Sequence, residues 1–169
     1  MPGTVIRPIA PSEGMQLRGI RLRALTDSPD AFGSTVARET GFAPAEWDER
    51  AAKGARGEER VTFVAEAGGR WVGLVGGYFE PGRPREPDLV SMWVEPGQRR
   101  TGVARQLVDA VVEWAISRGA TAARLWVTQG NVPAITLYER CGFVLTGESA
   151  PSPSNPSLRE LEMRMVLPG

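Results

Sequence analysis

The chain has 169 residues, 41% hydrophobic and 24% charged, which suffices for one domain with a full core and is short for two. Its 20 basic residues balance 20 acidic ones, which argues against a dedicated nucleic-acid-binding protein. The absence of histidine excludes a Ser/His/Asp or Cys/His catalytic set, and the single cysteine excludes a thiolate metal cage. We therefore expect a single domain over residues 1–169, with no metal ion and no nucleic-acid partner.

The sequence also indicates a cellular compartment. No apolar run approaches the ~18 residues that a membrane span needs, and the N-terminus lacks the basic and apolar segments of a secretion signal. Cys141, the only cysteine, cannot form an internal disulfide, as is typical of a reducing compartment. We expect a cytoplasmic protein with no membrane partner. The oligomeric state stays open, with a homodimer as one alternative.

The first half of the chain is predicted to form a strand, two helices and a hairpin. The predicted elements are a strand at 5–9, helices at 13–25 and 45–55, and strands at 60–67 and 71–79. Gly68 and Gly69 lie between the last two apolar runs, which is a common hairpin signal. A charged, proline-rich loop is predicted to follow at 80–88.

The second half alternates strands and helices. Strands are predicted at 89–94, 122–128, 143–145 and 158–166, helices at 103–118 and 133–140, and a loop at 149–157. The helix at 103–118 carries one apolar stripe at the helical period and ends at Gly119. This order of elements predicts a mixed α/β (α+β) sheet covered by helices on both faces.

The turn between the strand at 89–94 and the helix at 103–118 reads VEPGQRRTGVAR. A helix N-terminus presents unpaired N–H groups and a partial positive charge, so an oxyanion there accepts several hydrogen bonds. Gly102 and Ala104 permit a close approach, and Arg99, Arg100 and Arg105 add positive charge. The turn suits a diphosphate, although it matches neither the Walker A nor the dinucleotide-binding pattern. The alternative is a solvated arginine-rich turn.

Two motifs carry a resemblance to a known family. The first is Arg99-x-x-Gly102-x-Ala104 after a strand, which resembles the acetyl-CoA signature of the GCN5-related N-acetyltransferases (GNAT). The second is Asn131, Ala134, Leu137-Tyr138 and Gly142-Phe143, which resembles the later motif of that family. The resemblance runs from about residue 61 to the C-terminus. The segment 21–35 also resembles a bacterial subgroup of unassigned substrate.

The resemblance implies a fold, a reaction and a co-substrate. The fold would be the GNAT fold, with a mostly antiparallel central sheet whose central strands splay apart. The reaction would move an acetyl group from acetyl-CoA to a primary amine by direct attack in a ternary complex. A small-molecule amine is the first expectation, with a protein N-terminus or lysine as the alternative. A non-catalytic acyl-CoA-binding module is the alternative from another class.

The resemblance also assigns the residues that would hold acetyl-CoA. Backbone amides of the turn would bind the pyrophosphate, with Arg100 at a position where the family commonly has glycine. The residues of the turn are Arg99, Arg100, Thr101, Gly102, Val103, Ala104 and Arg105. Free backbone groups near Met92, Trp93 and Val94 would pair with the pantetheine arm and the thioester carbonyl. Asn131 would contact the same arm, or cap the helix that follows it, or do both.

Tyr138 matches the tyrosine that protonates the departing thiolate in the family; the alternative is an aromatic core residue with its hydroxyl at the surface. The base has no such match, because the glutamate used by the branch that acetylates ribosomal protein N-termini is replaced by Trp126. We expect Trp126 in the strand core, with a wall of the acceptor pocket as the alternative. Glu80 is the expected base, and the alternative is a solvated carboxylate beside Arg83 and Arg85. The weaker candidates are Glu66, Glu86 and Asp88.

Overall fold

The computed structural model describes residues 3–168, so the ends of the predicted domain, residues 1, 2 and 169, lie outside the described residues. The strands are β1 (Val5–Pro8), β2 (Arg60–Ala67), β3 (Arg70–Tyr78), β4 (Asp88–Val94), β5 (Ala122–Thr128), β6 (Val144–Pro151) and β7 (Arg159–Val166). The helices are α1 (Gly14–Asp27), α2 (Val36–Thr40), α3 (Pro44–Arg56), α4 (Val103–Ser117) and α5 (Val132–Cys141).

The strands form one seven-stranded sheet in the order β1-β2-β3-β4-β5-β7-β6. Strands β4 and β5 pair in parallel, whereas the other neighbours pair antiparallel. This mixed, mostly antiparallel sheet with helices on both faces confirms the predicted fold class.

Each face of the sheet has its own apolar core. On one face, α1 and α3 pack through residues such as Leu25 and Trp47 against Leu74 and Trp93 of the sheet. On the other face, α4 and α5 pack through residues such as Leu107. Burial of one leucine side chain stabilises the fold by roughly 1.5–3 kcal/mol, so each face is held by many such contributions. We call these the α1 face and the α4 face.

The structure departs from the predicted elements in two places. Helix α2 was not predicted, because a helix of five residues is too short to show a period; Thr35 caps it by accepting a hydrogen bond from the Arg38 amide. Strand β6 continues to Pro151, so the loop predicted at 149–157 begins only at residue 152. Because β6 is an edge strand and almost wholly exposed, it lacks the alternation of buried and exposed residues that marks most strands.

Strands β4 and β5 part soon after they meet. The register joins only Asp88 of β4 to Arg124 of β5, at the start of β4. Beyond that pair β4 stays paired with β3 and β5 with β7, so a cleft opens toward the C-terminal ends of both strands. These are the splayed central strands that the resemblance implied.

Candidate active site at the splayed strands

Two helix N-termini flank the mouth of the cleft. Because β4 and β5 run parallel, their C-terminal ends lie at the same edge of the sheet, and α4 and α5 each begin shortly beyond one of them. Ligands of open α/β sheets commonly bind just outside such carboxyl ends. The topology thus brings the turn at 95–102 and Asn131 to the same edge of the sheet.

The turn after β4 presents the free end of α4. A short 3₁₀ turn at Pro96–Gln98 leads to Gly102, whose φ of 91° makes it the N-cap in the left-handed region. The first backbone bond into the helix runs from the Gln106 amide to the Gly102 carbonyl at 3.1 Å, so the amides of residues 102–105 precede the helical ladder. A Cβ added at Gly102 would meet no atom within 4 Å, so the approach to these amides is open.

Arg100 also has a left-handed backbone, with φ of 65°. This is the position where the resembling family commonly has glycine, and the conformation explains that preference, because a side chain is strained at positive φ. Arg100 is exposed, and none of the ion pairs among residues 3–168 includes it. Its guanidinium is therefore the one on this turn that the fold leaves uncommitted within the described residues.

Arg99 makes structural contacts in addition to the role that its motif suggests. Its guanidinium donates to the Asp27 carboxylate at 2.7 Å and to the Val94 carbonyl at 2.9 Å. The Ser28 hydroxyl, the Trp93 indole and Arg99 together lower the pKa of Asp27 to about 2. Arg99 thus fastens the turn to the end of α1, and its charge is already largely balanced.

The alternation of β4 decides which of its backbone groups face the cleft. The Glu95 amide donates to the Val72 carbonyl of β3 at 2.8 Å. Alternate residues of a strand share a direction, so the Trp93 backbone also faces β3, whereas those of Met92 and Val94 face the β5 side. The Met92 backbone thus lies on the β5 side with no partner strand among the described residues, whereas the Val94 carbonyl on that side already accepts from Arg99.

Asn131 caps α5 with its side-chain carbonyl, which accepts from the Ala134 amide at 3.3 Å. The capping interpretation is therefore confirmed, and the amide NH₂ end remains available for a ligand.

Tyr138 lies in the same helix and is 7% exposed. Its ring packs edge-on against that of Phe143, with 6.0 Å between the ring centroids. Burial raises the pKa of Tyr138 above its usual value, so the hydroxyl stays protonated at neutral pH.

Three of the candidate carboxylates are paired with arginine side chains. Glu80 is exposed in the loop after β3, beside Arg83 at 4.0 Å. Glu66 pairs with Arg7 at 3.0 Å at the β1 edge. Glu86 binds Arg164 and lies 3.7 Å from Arg124, and the hydrogen bond from Arg164 lowers its pKa.

Asp88 differs from these three. Its Oδ1 is buried and has no hydrogen-bond partner among the described residues. Burial raises the pKa of Asp88 more than the nearby Arg124 lowers it. Since Leu89 packs into the α4-face core, the preceding side chain points to the α1 face. Sequence reasoning ranked Asp88 below Glu80 because it cannot show which carboxylate is buried.

The α1 face of the cleft is partly covered. Trp126 of β5 is half-buried and belongs to neither apolar core, so the expectation of a core tryptophan is not met. The Thr128 hydroxyl donates to the Asp30 carbonyl at 2.8 Å, and the Ser154 hydroxyl donates to the Phe32 carbonyl at 2.5 Å. The segment after α1 thus crosses to the end of β5 and to the loop between β6 and β7.

Comparison with known proteins agrees with this geometry. A sequence model of the acetyltransferase (GNAT) family matches residues 24–143, which include both motifs and the splayed strands. The chain therefore belongs to the GNAT family.

Among curated relatives, a streptothricin acetyltransferase from Escherichia coli is 45% identical over 49 residues, 29% of this chain and 28% of that protein. An L-2,4-diaminobutyric acid acetyltransferase from Nocardia farcinica is 34% identical over 81 residues, 46% of this chain and 40% of that protein. The chain thus spans less than half the length of these two relatives.

Solved structures extend the likeness to the whole fold. An acetyltransferase-like protein of Salmonella typhimurium, solved with acetyl-CoA, superposes with a TM-score of 0.80 over 99% of this chain and 95% of its own, at 16% identity. No helix within residues 3–168 is both long enough and apolar enough to cross a membrane. The same residues contain no cluster of three or more His, Cys, Asp or Glu side chains placed to hold a metal ion.

Proposed function

We propose that the protein transfers the acetyl group of acetyl-CoA to a primary amine of a small molecule. The observation that carries this proposal is the open N-terminus of α4 at the mouth of a cleft lined by free backbone groups of β4. The turn would bind the pyrophosphate through the amides around Gly102, with Arg100 adding charge. The pantetheine arm would then lie along the cleft, against Met92 and Val94 on one side and Asn131 on the other.

Three groups of the protein would take part in the transfer: the Met92 amide, the Tyr138 hydroxyl and a carboxylate base. The amine nitrogen attacks the thioester carbon, a C–N bond forms, and the C–S bond breaks. The Met92 amide stabilises the carbonyl oxygen as it gains negative charge. Tyr138 donates its proton to the departing thiolate; a group this weakly acidic does so only as the C–S bond breaks. Burial keeps the hydroxyl protonated and also makes it a weaker acid, so the proton transfer must be concerted with breakage of the C–S bond.

Asp88 is the base in this proposal, in place of Glu80. It lies four residues before Met92, roughly 13 Å along the strand, so a chain of waters would connect it to the amine. A lysine-like amine costs about 4.6 kcal/mol to deprotonate at pH 7, so the base must be within reach of the amine. A carboxylate with a raised pKa accepts a proton more readily than one at its ordinary value.

The acceptor would approach on the α1 face. The bonds of Thr128 and Ser154 close the side toward the loop between β6 and β7, which leaves access beside the loop at 80–88. Both curated relatives named above are enzymes for small amines, which favours such an acceptor here. Trp126 stands where the ribosomal branch has its glutamate, which disfavours a ribosomal protein N-terminus.

The proposed acid is tested by Tyr138→Phe, with Tyr78→Phe as the matched control because these are the two tyrosines of the chain. CoA release is measured over a panel of small amines and peptides. We expect Tyr138→Phe to bind acetyl-CoA normally and to lower kcat by about 10² or more, and Tyr78→Phe to match the parent. Unchanged turnover in Tyr138→Phe would remove the tyrosine from the mechanism. Tight acetyl-CoA binding without turnover for any amine would favour the acyl-CoA-binding module.

The proposed base is tested by a second matched pair, Asp88→Asn and Glu80→Gln. The base works in its deprotonated form, so the activity of the parent falls as pH drops through the raised pKa of Asp88. We expect Asp88→Asn to lose that acid limb together with most of its activity, and Glu80→Gln to keep both. A profile in which only Glu80→Gln changes would reverse the assignment.

A further inference from the structure

A buried ion pair lies on the α1 face, next to the middle of β4. Arg21 of α1 donates to Glu39 of α2 through two parallel bonds, Nε to Oε1 at 3.0 Å and Nη2 to Oε2 at 2.6 Å. The side chains are 10% and 1% exposed, and the guanidinium also lies over the Phe32 ring at 5.3 Å. A bidentate pair of this kind fixes the guanidinium plane, so its remaining nitrogen points in one direction.

That remaining nitrogen reaches the middle of β4. Arg21 Nη1 donates to Ser91 Oγ at 2.8 Å, a contact between residues 70 positions apart in the chain. Ser91 has φ of 58°, in the left-handed region that non-glycine residues avoid. The register between β3 and β4 shifts at this point, where Ser91 and Met92 together face the single residue Val75.

The bulge sets the direction of the next amide. An extra residue in one strand rotates the backbone that follows it and re-aims its groups. Here the backbone that follows is Met92, whose amide faces the β5 side of the cleft. A change in the backbone of Ser91 would swing this amide away from the position where a thioester carbonyl would lie.

We infer that Arg21 is a positioning residue for acetyl transfer: braced by Glu39, it holds the bulged Ser91 and thereby aims the Met92 amide at the thioester carbonyl. This inference rests on the proposed function. An oxyanion donor is effective only when its direction is fixed before the reaction, because reorientation during the reaction cancels the gain. A strained residue persists only where its surroundings hold it, and the Arg21 contact is the side-chain bond that the structure gives to Ser91.

Two substitutions at Ser91 isolate this role from general stability. Ser91→Ala and Ser91→Gly both remove the hydroxyl and leave the Arg21–Glu39 pair intact. Glycine adopts positive φ freely and keeps the bulge without help, whereas alanine does not. We expect Ser91→Ala to lower kcat about 10-fold with little change in the KM for acetyl-CoA, and Ser91→Gly to stay near the parent. Equal losses in the two variants, or none in either, would overturn the inference.

A second readout needs no acceptor amine. The chain has five methionines, so labelling with [¹⁵N]methionine gives few amide signals, and Met92→Leu identifies that of Met92. In the parent, the resonance of the Met92 amide proton should move downfield with acetyl-CoA and not with CoA, which lacks the thioester carbonyl. Ser91→Ala should lose that difference and Ser91→Gly should keep it. A difference that persists in Ser91→Ala would overturn the inference.

Arg23→Gln serves as the control on the same helix. Arg23 also pairs with a buried glutamate, Glu95, at 2.6 Å, and lies over the Trp93 ring, but it does not touch the bulge. We expect its kcat and Met92 signal to match the parent, and the double variant Arg21→Gln/Glu39→Gln to behave as Ser91→Ala does. If Arg23→Gln lost the Met92 response to the same degree, the effect would be one of packing alone and the inference would fail. A parent that bound no CoA would instead overturn the proposed function itself.

Discussion

Ser91 and Arg100 both adopt a backbone conformation that suits glycine, but the contacts around the two residues differ. Ser91 is held through its hydroxyl by a guanidinium that is itself fixed by a buried carboxylate. Arg100 is exposed on a turn whose neighbouring amides precede the hydrogen-bond ladder of α4. Each such conformation costs about 1–3 kcal/mol, so its persistence needs a compensating interaction.

The difference follows from what each region would contact. The bulge would face a carbonyl oxygen that gains charge only during the reaction, so its geometry must be set by the protein beforehand. The turn would face a diphosphate that is charged throughout, so the bound ligand can itself stabilise the strained conformation. The bulge is therefore held by buried side-chain contacts, whereas the turn keeps exposed backbone amides and the exposed Arg100 side chain.

The largest effect is expected at the Arg21–Glu39 ion pair, which holds the bulge. Arg21→Gln leaves the Glu39 carboxylate buried without its partner, which should lower the free energy of unfolding by about 3–5 kcal/mol. Arg99→Gln removes an exposed ion pair from the turn side and should cost less than about 1 kcal/mol. Chemical denaturation measures both, and Arg21→Gln/Glu39→Gln should recover much of the loss. Equal costs at the two sites would contradict the contrast between them.

An effect of intermediate size is expected at Gly102. Gly102→Ala strains a backbone at φ of 91° and places a methyl group among the free amides, so CoA affinity should fall about 10- to 100-fold. Gly119→Ala is the matched control: its φ is 80°, a Cβ there also meets no atom within 4 Å, and it follows the other end of α4. Calorimetry should show weaker binding for the first variant alone. Similar losses in both would mean that helix strain, and not the anion site, controls affinity.

The smallest effect concerns the bond that joins the turn to α1. The folded-state pKa of Asp27, about 2, lies below the ordinary value of 3.8, so its contribution to stability is present above pH 4. That contribution is lost as pH falls toward 2, because the unfolded state takes up the proton first. Asp27→Asn should therefore unfold with a shallower pH dependence between pH 4 and pH 2, as followed by circular dichroism. An unchanged acid transition would show that this carboxylate does not hold the turn.

Local patterns predicted most of the elements but missed the five-residue helix α2 and the exposed end of β6. The anion site at the turn stays a prediction. The apolar stripe of α4 predicted the helix from residue 103, and the arginines and Gly102 before it predicted an anion site at its N-terminus. The bulge could not be predicted in this way, because a lone serine in an apolar run looks like an ordinary strand position. The Arg21–Glu39 pair depends on how α1 and α2 pack, and the burial of Asp88 depends on its pairing with Arg124 of β5, so no local pattern carries either feature.

The most direct test of the account is calorimetry of the parent chain with CoA and with pantetheine, which has the same arm without the diphosphate and the adenosine 3′-phosphate. If the amides at the start of α4 bind the diphosphate, CoA and acetyl-CoA should bind saturably. Pantetheine should bind about 100-fold more weakly, or worse, because hydrogen bonds to charged groups are strong. No binding of CoA, or pantetheine binding as tight as that of CoA, would contradict it.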